Sequence, residues 1–516
     1  DTDGDGVPDF VDTDSDDDGL LDSVEDANRN GAVDAGETDA RKTDTDGDGA
    51  SDLVEVAAAT DPTNKGDNPH ARGDFVFLVP YEQDQSPLTD TLSFSTKITH
   101  ADVVFLMDTT SSMGEEITNL KDSLKNIFTE LKVIPSIGFG VAAYDDFPMS
   151  PYGGNEDTPF YLLHRVSTVA GNGEKSVNTA VSSLKTHWGD DWPESGWQAM
   201  HEIATGKGLT YSKPDLTKGT IPAFDPAKAK PAPEGEELGG IGGVGFRAGA
   251  LPIIVWMTDA PNHNSEGFPY WNYGVSANPF FPAPAINGAA KRSEAIEDLK
   301  RIGAKLIGVF SNEDPSLECK TDGGEAISAT GSTVVPEAFG GDAASRPAGC
   351  AVGKCCTGID DAGVNSVAGK CPLGFVVSKN GSGLGESIIN AIKVLTTFGT
   401  MDITAKAFDG DSTDQVDPIA AFIDRIEANA NAAAPCSSGL TAIDSDGKDG
   451  PDTFTGTMPG STVCFNVVSK KNTTVVGKAE PQMFMATIKV YGGVAELDQR
   501  NVYFLVPPYI PPPQVQ

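Results

Sequence analysis

The first 55 residues repeat one spacing of oxygen-bearing side chains around a glycine. The repeat covers residues 1–12, 14–25, 26–37 and 44–55, named here loops 1 to 4, and loop 1 reads "DTDGDGVPDFVD". A calcium loop takes side-chain oxygens from positions 1, 3, 5, 9 and 12 and a carbonyl from position 7, with glycine at position 6 for a sharp turn. Every loop has that glycine, at Gly6, Gly19, Gly31 and Gly49. Because an acidic low-complexity tail would not repeat this placement, the pattern predicts four calcium sites.

The predicted ligands follow directly from the spacing. They are Asp1, Asp3, Asp5, Val7, Asp9 and Asp12 in loop 1; Asp14, Asp16, Asp18, Leu20, Asp22 and Glu25 in loop 2; Asp26, Asn28, Asn30, Ala32, Asp34 and Glu37 in loop 3; and Asp44, Asp46, Asp48, Ala50, Asp52 and Glu55 in loop 4. No long amphipathic helices flank the loops, and over about residues 1–68 the segment resembles thrombospondin type 3 repeats. Since apolar residues are few here, we expect the ions to hold the segment together as a stiff stalk.

The calcium loops and the charge balance bear on location and partners. Calcium sites of extracellular modules have dissociation constants of ~0.1 to 1 mM, which suits the calcium level outside cells. The net charge is −38, and residues 1–61 hold 21 acidic and 3 basic side chains, which disfavours nucleic acid and anionic lipid as partners. No stretch approaches the ~20 apolar residues of a transmembrane helix. With no leader at its start, the sequence is expected to be a mature or truncated secreted or cell-surface protein.

Residues 101–399 alternate strand and helix patterns. "DVVFLM" and "LPIIVWM" are apolar runs typical of strands buried on both faces. The segment after the first run has apolar residues three and four apart, which predicts a helix. This alternation predicts a doubly wound α/β parallel sheet. Ligands of such sheets gather at the carboxyl ends of the strands, which is where Asp108 and Asp259 lie.

The stretch "DTTSSMG", residues 108–114, allows two interpretations. Ser, Thr and Asp cap helices by accepting hydrogen bonds from free backbone N–H groups. Alternatively, Asp108, Thr110 and Ser112 direct their oxygens at one hard cation. The second interpretation gains weight from the acids Glu194 and Asp259 further along the chain.

Four motifs in this region resemble a known family. "DTTSSM" is similar to the D-x-[ST]-x-S signature of the von Willebrand factor A domain, and the closest similarity is to the I-like domain of integrin β subunits. The further motifs are an "IGFG" strand at residues 137–140 that ends in acids, a D-x-P-E-x-G loop at 191–196, and a strand that ends in T-D-A at 258–260.

The resemblance implies a set of metal ligands. A magnesium (or manganese) ion at an adhesion site would be held by Asp108, Thr110, Ser112, Glu194 and Asp259; an adjacent regulatory site would use Glu115 and Glu116; and a flanking calcium site would use Asp191, the Pro193 carbonyl and either Asp145 or Asp146. The sequence departs from the family at Glu115 and Glu116, where the family has aspartates. It also has Gly189 in the place of an asparagine ligand.

Elementary coordination chemistry says what the adhesion site would do. Magnesium requires six oxygens and usually keeps several waters. Two neutral hydroxyls leave the ion under-neutralised, so a carboxylate from a partner can complete its shell. The helix that starts near Glu115 adds a positive dipole at the same place.

Alternating segments flank the α/β region. "DFVFLVPYE", "TLSFSTKIT", "MDITAKAF", "STVCFNVVS", "MFMATIKVY" and "NVYFLVPPY" predict strands of one β-sandwich. The predicted domains are therefore calcium repeats at 1–68, sandwich parts at 69–100 and 400–508, an inserted A-type domain at 101–399, and a Pro-rich tail at 509–516.

The cysteines suit an oxidising exterior. Cys436 and Cys464 lie in the second sandwich part and are expected to pair. Five others crowd one insertion and could form two bridges with one thiol left over, or a zinc cluster, although their spacings lack C-x-x-C pairs: Cys319, Cys350, Cys355, Cys356 and Cys371.

The leading hypothesis from the sequence is an extracellular adhesion protein that binds an acidic group on a protein or glycan partner through magnesium. The alternative is a structural subunit of a calcium-dependent extracellular fibre or coat, in which case self-assembly is expected and chelation would disperse filaments. Catalysis is not expected, because the sequence has no H-E-x-x-H, G-x-S-x-G or phosphate-loop motif.

Overall fold

The computed structural model describes most of the chain. The described residues are 1–168, 173–215, 217–226, 238–266, 272–275, 283–311, 318–411, 415–448 and 450–510, without the side chains of 318–322 and 360. The side chain of Cys319 and most of the predicted tail at 509–516 therefore lie outside this part. Within it, the chain is a multidomain protein of mixed α/β architecture.

The calcium-loop segment has three short helices, α1 (Asp22–Glu25), α2 (Asp52–Ala58) and α3 (Pro69–Arg72). Helix α2 is capped by Ser51, whose side chain accepts a hydrogen bond from the Val54 N–H. Leu20 and Leu53 pack against Leu505 near the carboxyl end of the described chain. This small apolar cluster docks the segment on the rest of the protein.

Two strands lie between the loops and the α/β domain, β1 (Phe75–Leu78) and β2 (Thr89–Ser95). The α/β domain then contains β3 (His100–Asp108), α4 (Gly114–Leu131), β4 (Ser136–Tyr144), β5 (Tyr161–Thr168), α5 (Gly173–Ser183), α6 (Gly196–Thr205), β6 (Leu209–Ser212), β7 (Lys218–Ile221), β8 (Leu251–Thr258), α7 (Arg292–Arg301), β9 (Lys305–Phe310), α8 (Glu318–Ala329), β10 (Thr333–Val334), β11 (Cys355–Cys356), β12 (Gly363–Val364), β13 (Cys371–Pro372), β14 (Gly374–Val376) and α9 (Leu384–Phe398). Single 3₁₀ turns lie at Ser111–Met113, Pro336–Phe339 and Ile359–Asp361.

The main sheet of this domain has the strand order β14-β9-β8-β3-β4-β5. Strands β14, β9, β8, β3 and β4 run parallel, whereas β5 pairs antiparallel with β4 at the edge. The antiparallel edge differs from the all-parallel sheet expected from the sequence. Its cause is local, since β4 turns directly back into β5 through residues 145–160 without a crossover helix.

Strand β3 lies in the middle of the sheet and is buried from Ala101 to Asp108. Helix α4 buries the apolar stripe that the sequence predicts, from Ile117 to Leu131, and packs against α9. Central burial of β3 brings its last residue, Asp108, to the carboxyl edge of the sheet beside the end of β8.

The chain then returns to a β-sandwich. Its elements are β15 (Met401–Asp409), α10 (Pro418–Phe422), β16 (Ile423–Ala428), β17 (Thr441–Ile443), β18 (Thr453–Thr457), β19 (Thr462–Ser469), β20 (Gln482–Gly492) and β21 (Ala495–Val506). One sheet has the order β1-β21-β20-β15-β18-β17 and the other β16-β19-β2. Both sheets therefore combine strands from before and after the α/β domain.

Three disulfides join cysteines in the described residues: Cys436–Cys464, Cys350–Cys356 and Cys355–Cys371. The first is the pair expected from the sequence. Because the other two bridges use four of the five clustered cysteines, the zinc-cluster interpretation is wrong for those four.

Candidate metal centre

The adhesion-site residues expected from the sequence meet at the carboxyl edge of the main sheet. Asp108 ends β3 and is fully buried. One of its oxygens accepts hydrogen bonds from the backbone and hydroxyl of Thr110, at 3.0 and 2.8 Å, and the other accepts from the hydroxyl of Thr258 at 2.7 Å. These hydrogen bonds hold the carboxylate at the bottom of the group formed by Asp108, Thr110, Ser112, Glu194 and Asp259, which is named the cup here.

Ser112 and Asp259 form the rim of the cup. The Ser112 hydroxyl donates to Oδ1 of Asp259 at 3.1 Å across 147 residues of sequence. Neither Thr110 nor Met113, the residues before the 3₁₀ turn and before α4, makes a side-chain cap. The helix-cap interpretation of this stretch is therefore wrong, because its hydroxyls face the carboxylates instead.

Glu194 closes the cup from a third side and is 4% exposed. The loop before it wraps the site closely, since a Cβ placed on Gly189 would lie 3.0 Å from Thr110 Cγ2 and 3.5 Å from Glu194 Oε1. The segment after β8 is tied to Glu194 by two backbone hydrogen bonds of 2.8 Å, to Pro261 and from His263. Oε2 of Glu194 is buried and has no hydrogen-bond partner among the described residues.

The electrostatics of the cup suit a cation. Burial, reinforced by the charge of Asp259, raises the pKa of Asp108 to about 8. Burial, together with Asp146 and Asp108, raises the pKa of Glu194 well above its usual value, and burial also raises the pKa of Asp259. Three carboxyl groups held this close disfavour one another's charges unless a cation lies between them.

The structure separates the two aspartates that follow β4. Asp145 accepts a hydrogen bond from Thr109 at 2.5 Å and contacts Tyr161 and the ring of His187, so its oxygens are occupied away from the cup. Asp146 lies with Asp191 and His263, and ligand atoms of all three fall within 4.8 Å of one another. Asp145 is therefore not in this flanking cluster, and Asp146 is.

The other predicted flanking residues are placed as follows. Pro193 is buried, Glu115 is exposed and Glu116 is buried. Burial raises the pKa of Glu116, and the charges of Asp259 and Glu115 add to that effect. Glu116 thus lies on the cup side of α4, whereas Glu115 is exposed to solvent.

The four calcium loops have one common backbone geometry. In each, the N–H of the position-6 glycine donates to the position-1 aspartate and the position-7 N–H donates to the position-5 side chain, over 2.6 to 3.1 Å. The four glycines have φ between 76° and 105°, a region that L side chains rarely adopt. The sequence spacing therefore produces four similarly folded loops.

Loops 2 and 4 also hold buried oxygens without hydrogen-bond partners in the described part of the chain. These are Asp14 Oδ1, Asp16 Oδ2, Glu25 Oε2, both carboxylate oxygens of Asp46 and both of Glu55. Burial, reinforced by the charges of neighbouring loop aspartates, raises the pKa of Glu25 and of Glu55 to about 8. Such uncompensated carboxylates fit cation ligands.

Sequence reasoning did not find several residues of the centre. Thr109 and Asp157 position the surrounding loops, and Asp157 accepts hydrogen bonds from the N–H groups of Trp188 and Gly189 at 3.1 and 2.9 Å. His263 was missed although it follows Asp259 by four residues, and that proximity to a strand-end ligand was the available signal. No local sequence pattern identifies Asp157 as a residue that positions the neighbouring loop.

Comparisons with known proteins add little to this picture. No family model matches the sequence, and a search of curated proteins gives no match. Solved structures with some similarity include a von Willebrand factor type A protein from Catenulispora acidiphila, at 9% identity and TM-score 0.31, covering 83% of this chain and 74% of that one. The pilus adhesin SpaC from Lactobacillus rhamnosus GG has 10% identity and TM-score 0.29, and the match covers 82% of this chain and 48% of the adhesin. Proximal thread matrix protein 1 from the mussel byssus has 15% identity and TM-score 0.25, with 45% and 42% of the two chains covered.

Among the described residues, no helix has both the length and the apolar character needed to cross a membrane.

Proposed function

We propose that this chain is an extracellular adhesion protein that binds an acidic group of a partner through a magnesium ion in the cup. The observation that carries the proposal is the convergence of Asp108, Thr110, Ser112, Glu194 and Asp259, from three separate chain segments, on one carboxylate-lined edge. Their oxygens are the ligand type that magnesium takes in proteins.

The opening of the cup favours binding over ion storage. Asp108 and Glu194 are buried, whereas Ser112 is exposed and Asp259 is half-buried. An ion in the cup would therefore face solvent on the rim side, where waters or a partner carboxylate complete the octahedral shell. The amino end of α4 faces the same point and favours an incoming anion.

The extracellular assignment is supported by the disulfides and by the calcium loops. Three disulfides in the described residues suit an oxidising compartment. Calcium at loops 2 and 4 would neutralise their buried carboxylates and fix the repeat segment beside the sandwich.

The proposal is tested by magnesium-dependent attachment of the full chain to the surface of its own cells. We expect attachment that is lost in chelator, restored by magnesium, and absent for Asp108→Ala at any magnesium concentration. The matched control is Asp122→Ala, which removes an exposed aspartate from helix α4. Equal attachment by the Asp108 and Asp122 variants would end the proposal.

A further inference from the structure

The cluster beside the cup differs from the calcium site that the family resemblance implies. Calcium takes six to eight oxygen ligands. Here Gly189 supplies no side-chain oxygen, and the imidazole of His263 lies between Asp146 and Asp191. A nitrogen donor in that position does not suit calcium or magnesium.

The ligand atoms have the spacing of a first coordination shell. Nε2 of His263 lies 3.4 Å from Oδ1 of Asp191 and 3.7 Å from Oδ2 of Asp146. Zinc bonds of about 2.0 to 2.1 Å to nitrogen and oxygen place tetrahedral ligands about 3.3 to 3.4 Å apart. The observed separations are close to that value, and the 3.4 Å contact between His263 and Asp191 is also a long hydrogen bond.

Buried oxygens point to a cation as an independent observation. Oδ1 of Asp146 accepts a hydrogen bond from Ser195 at 2.6 Å, while its Oδ2 has no hydrogen bond within the described chain. Asp146 is fully buried, and Oε2 of the neighbouring Glu194 is also without a hydrogen bond there. With Asp191 the cluster holds three carboxylates, more than one imidazolium would neutralise.

The surroundings hold the histidine in place and leave an entrance. The rings of Tyr152 and Tyr273 pack on His263 with centroids 5.1 and 4.4 Å away. Tyr273 also shares a 2.7 Å hydrogen bond with Ser195, which fixes Asp146. The side chain of Asp191 is 29% exposed, so an ion can enter from its side.

We propose that His263, Asp146 and Asp191 form a second metal site that selects a zinc-class transition ion over calcium, with Glu194 or a water as the fourth ligand. Imidazole with carboxylates is a ligand set that zinc accepts. Glu194 interacts with both Asp146 and Asp108, so as the fourth ligand it would connect the two sites and the second ion would orient a ligand of the first.

The test uses the full chain in excess calcium and magnesium, titrated with Zn²⁺, with bound zinc measured by mass spectrometry after gel filtration. We expect about one tightly retained zinc per chain. His263→Gln is expected to weaken zinc binding at least about tenfold. The matched control His201→Gln removes a histidine that pairs with Asp298 at 2.7 Å outside the cluster, and it should retain the ion.

Two further variants and a diffraction measurement test whether zinc binds at this cluster. Asp191→Asn changes a partly exposed ligand and should also lose zinc, with unchanged circular dichroism as evidence of folding. Anomalous diffraction at the zinc edge should give a peak about 2 Å from His263 Nε2, on the side of Asp146 and Asp191. No zinc retention in excess calcium, a calcium ion at this position, or equal zinc binding by the His263 and His201 variants would overturn the proposal. Asp108→Ala should keep its zinc while losing attachment, which separates this site from the adhesion proposal.

Discussion

Loops 2 and 4 of the repeat segment share their ligand spacing with loops 1 and 3 but differ from them in burial. Glu25 and Glu55, the position-12 ligands of loops 2 and 4, are 1% and 0% exposed. In loop 3, by contrast, the side-chain amides of Asn28 and Asn30 donate to the exposed Asp34 at 2.8 and 2.7 Å, so this loop satisfies its own acid. Loops with the same spacing can therefore depend on calcium to different degrees.

The cause of the difference lies outside the loops. Leu20 follows the position-6 glycine of loop 2, and Leu53 lies at position 10 of loop 4; both pack on Leu505 of the sandwich. The Leu53 N–H also donates to Asp18 at 3.0 Å, which joins the two loops. Burial by the sandwich removes water from these carboxylates and leaves an ion as their natural partner.

The largest effect is expected from removing the docking contact. Leu53→Ala empties a position that is 1% exposed and should lower the free energy of unfolding by about 2 to 5 kcal/mol in calcium. Phe10 lies at the same loop position in loop 1 but is 87% exposed, so Phe10→Ala should cost less than about 0.5 kcal/mol. Denaturant unfolding measures both, and equal losses would contradict the comparison.

The next effect concerns calcium affinity. The double variant Glu25→Gln, Glu55→Gln removes the buried position-12 carboxylates and should weaken the two tightest calcium sites at least about tenfold. The double variant Asp12→Asn, Glu37→Gln changes the same positions in loops 1 and 3 and should leave those tight sites unchanged. Isothermal titration with calcium distinguishes them, and the comparison fails if the second variant loses as much affinity as the first.

The stability of the metal-free protein should fall as pH rises from about 4 to 8. Burial, with nearby aspartates, raises the pKa of Asp14 and Asp18 to about 7 and of Glu25 and Glu55 to about 8, above values of 3.8 and 4.5 for exposed groups. The folded state therefore binds more protons than the unfolded state in this range, and raising the pH removes that advantage.

Melting in chelator at pH 5.5 and pH 8 measures this effect. The melting temperature should be several degrees lower at pH 8, and saturating calcium should remove most of the difference. If the chelated protein were more stable at pH 8, the assignment of buried, uncompensated carboxylates would be wrong.

The smallest effect concerns one supporting hydrogen bond. The hydroxyl of buried Thr38 donates to Glu25 at 2.9 Å, and Thr38→Val should reduce calcium affinity at loop 2 by about 1 kcal/mol. Thr63→Val removes an exposed hydroxyl that donates to Asp61 and should have no measurable effect. A calcium titration of each variant provides the comparison.

The spacing of residues in the sequence was sufficient to predict the local geometry of the four loops, but not which of them are buried. The position-6 glycines predicted four turns, and all four have the same hydrogen bonds. Which loops would be covered depends on Leu505, some 450 residues away in the chain, and no local pattern reports such a contact.

The same limit applies to the α/β domain and the sandwich. Asp108 and Asp259 were predicted to meet because parallel strands end at one edge, and the motifs added Glu194. The sequence could not tell whether Asp145 or Asp146 belongs to the flanking cluster, because that depends on which way the two adjacent side chains face after β4. The elements that were missed include strands β5, β16, β17 and β18 and helix α8. For β16 and β18 the reason is that "IDRIEA" and "TFTGT" have too few apolar residues to show a period.

The connections of the α/β domain have a mechanical consequence. Both links to the sandwich lie at the edge of the sheet opposite the cup: one precedes His100, the first residue of β3, and the other follows Phe398 and leads to Asp402, whose charge acts on Lys305 at the start of β9. The β20–β21 hairpin also touches that far edge, where the Glu496 N–H donates to the Gly249 carbonyl at 2.9 Å. A pulling force on a bound partner would therefore pass from the α/β domain to the sandwich through two covalent links in parallel. Neither link would bear the full force.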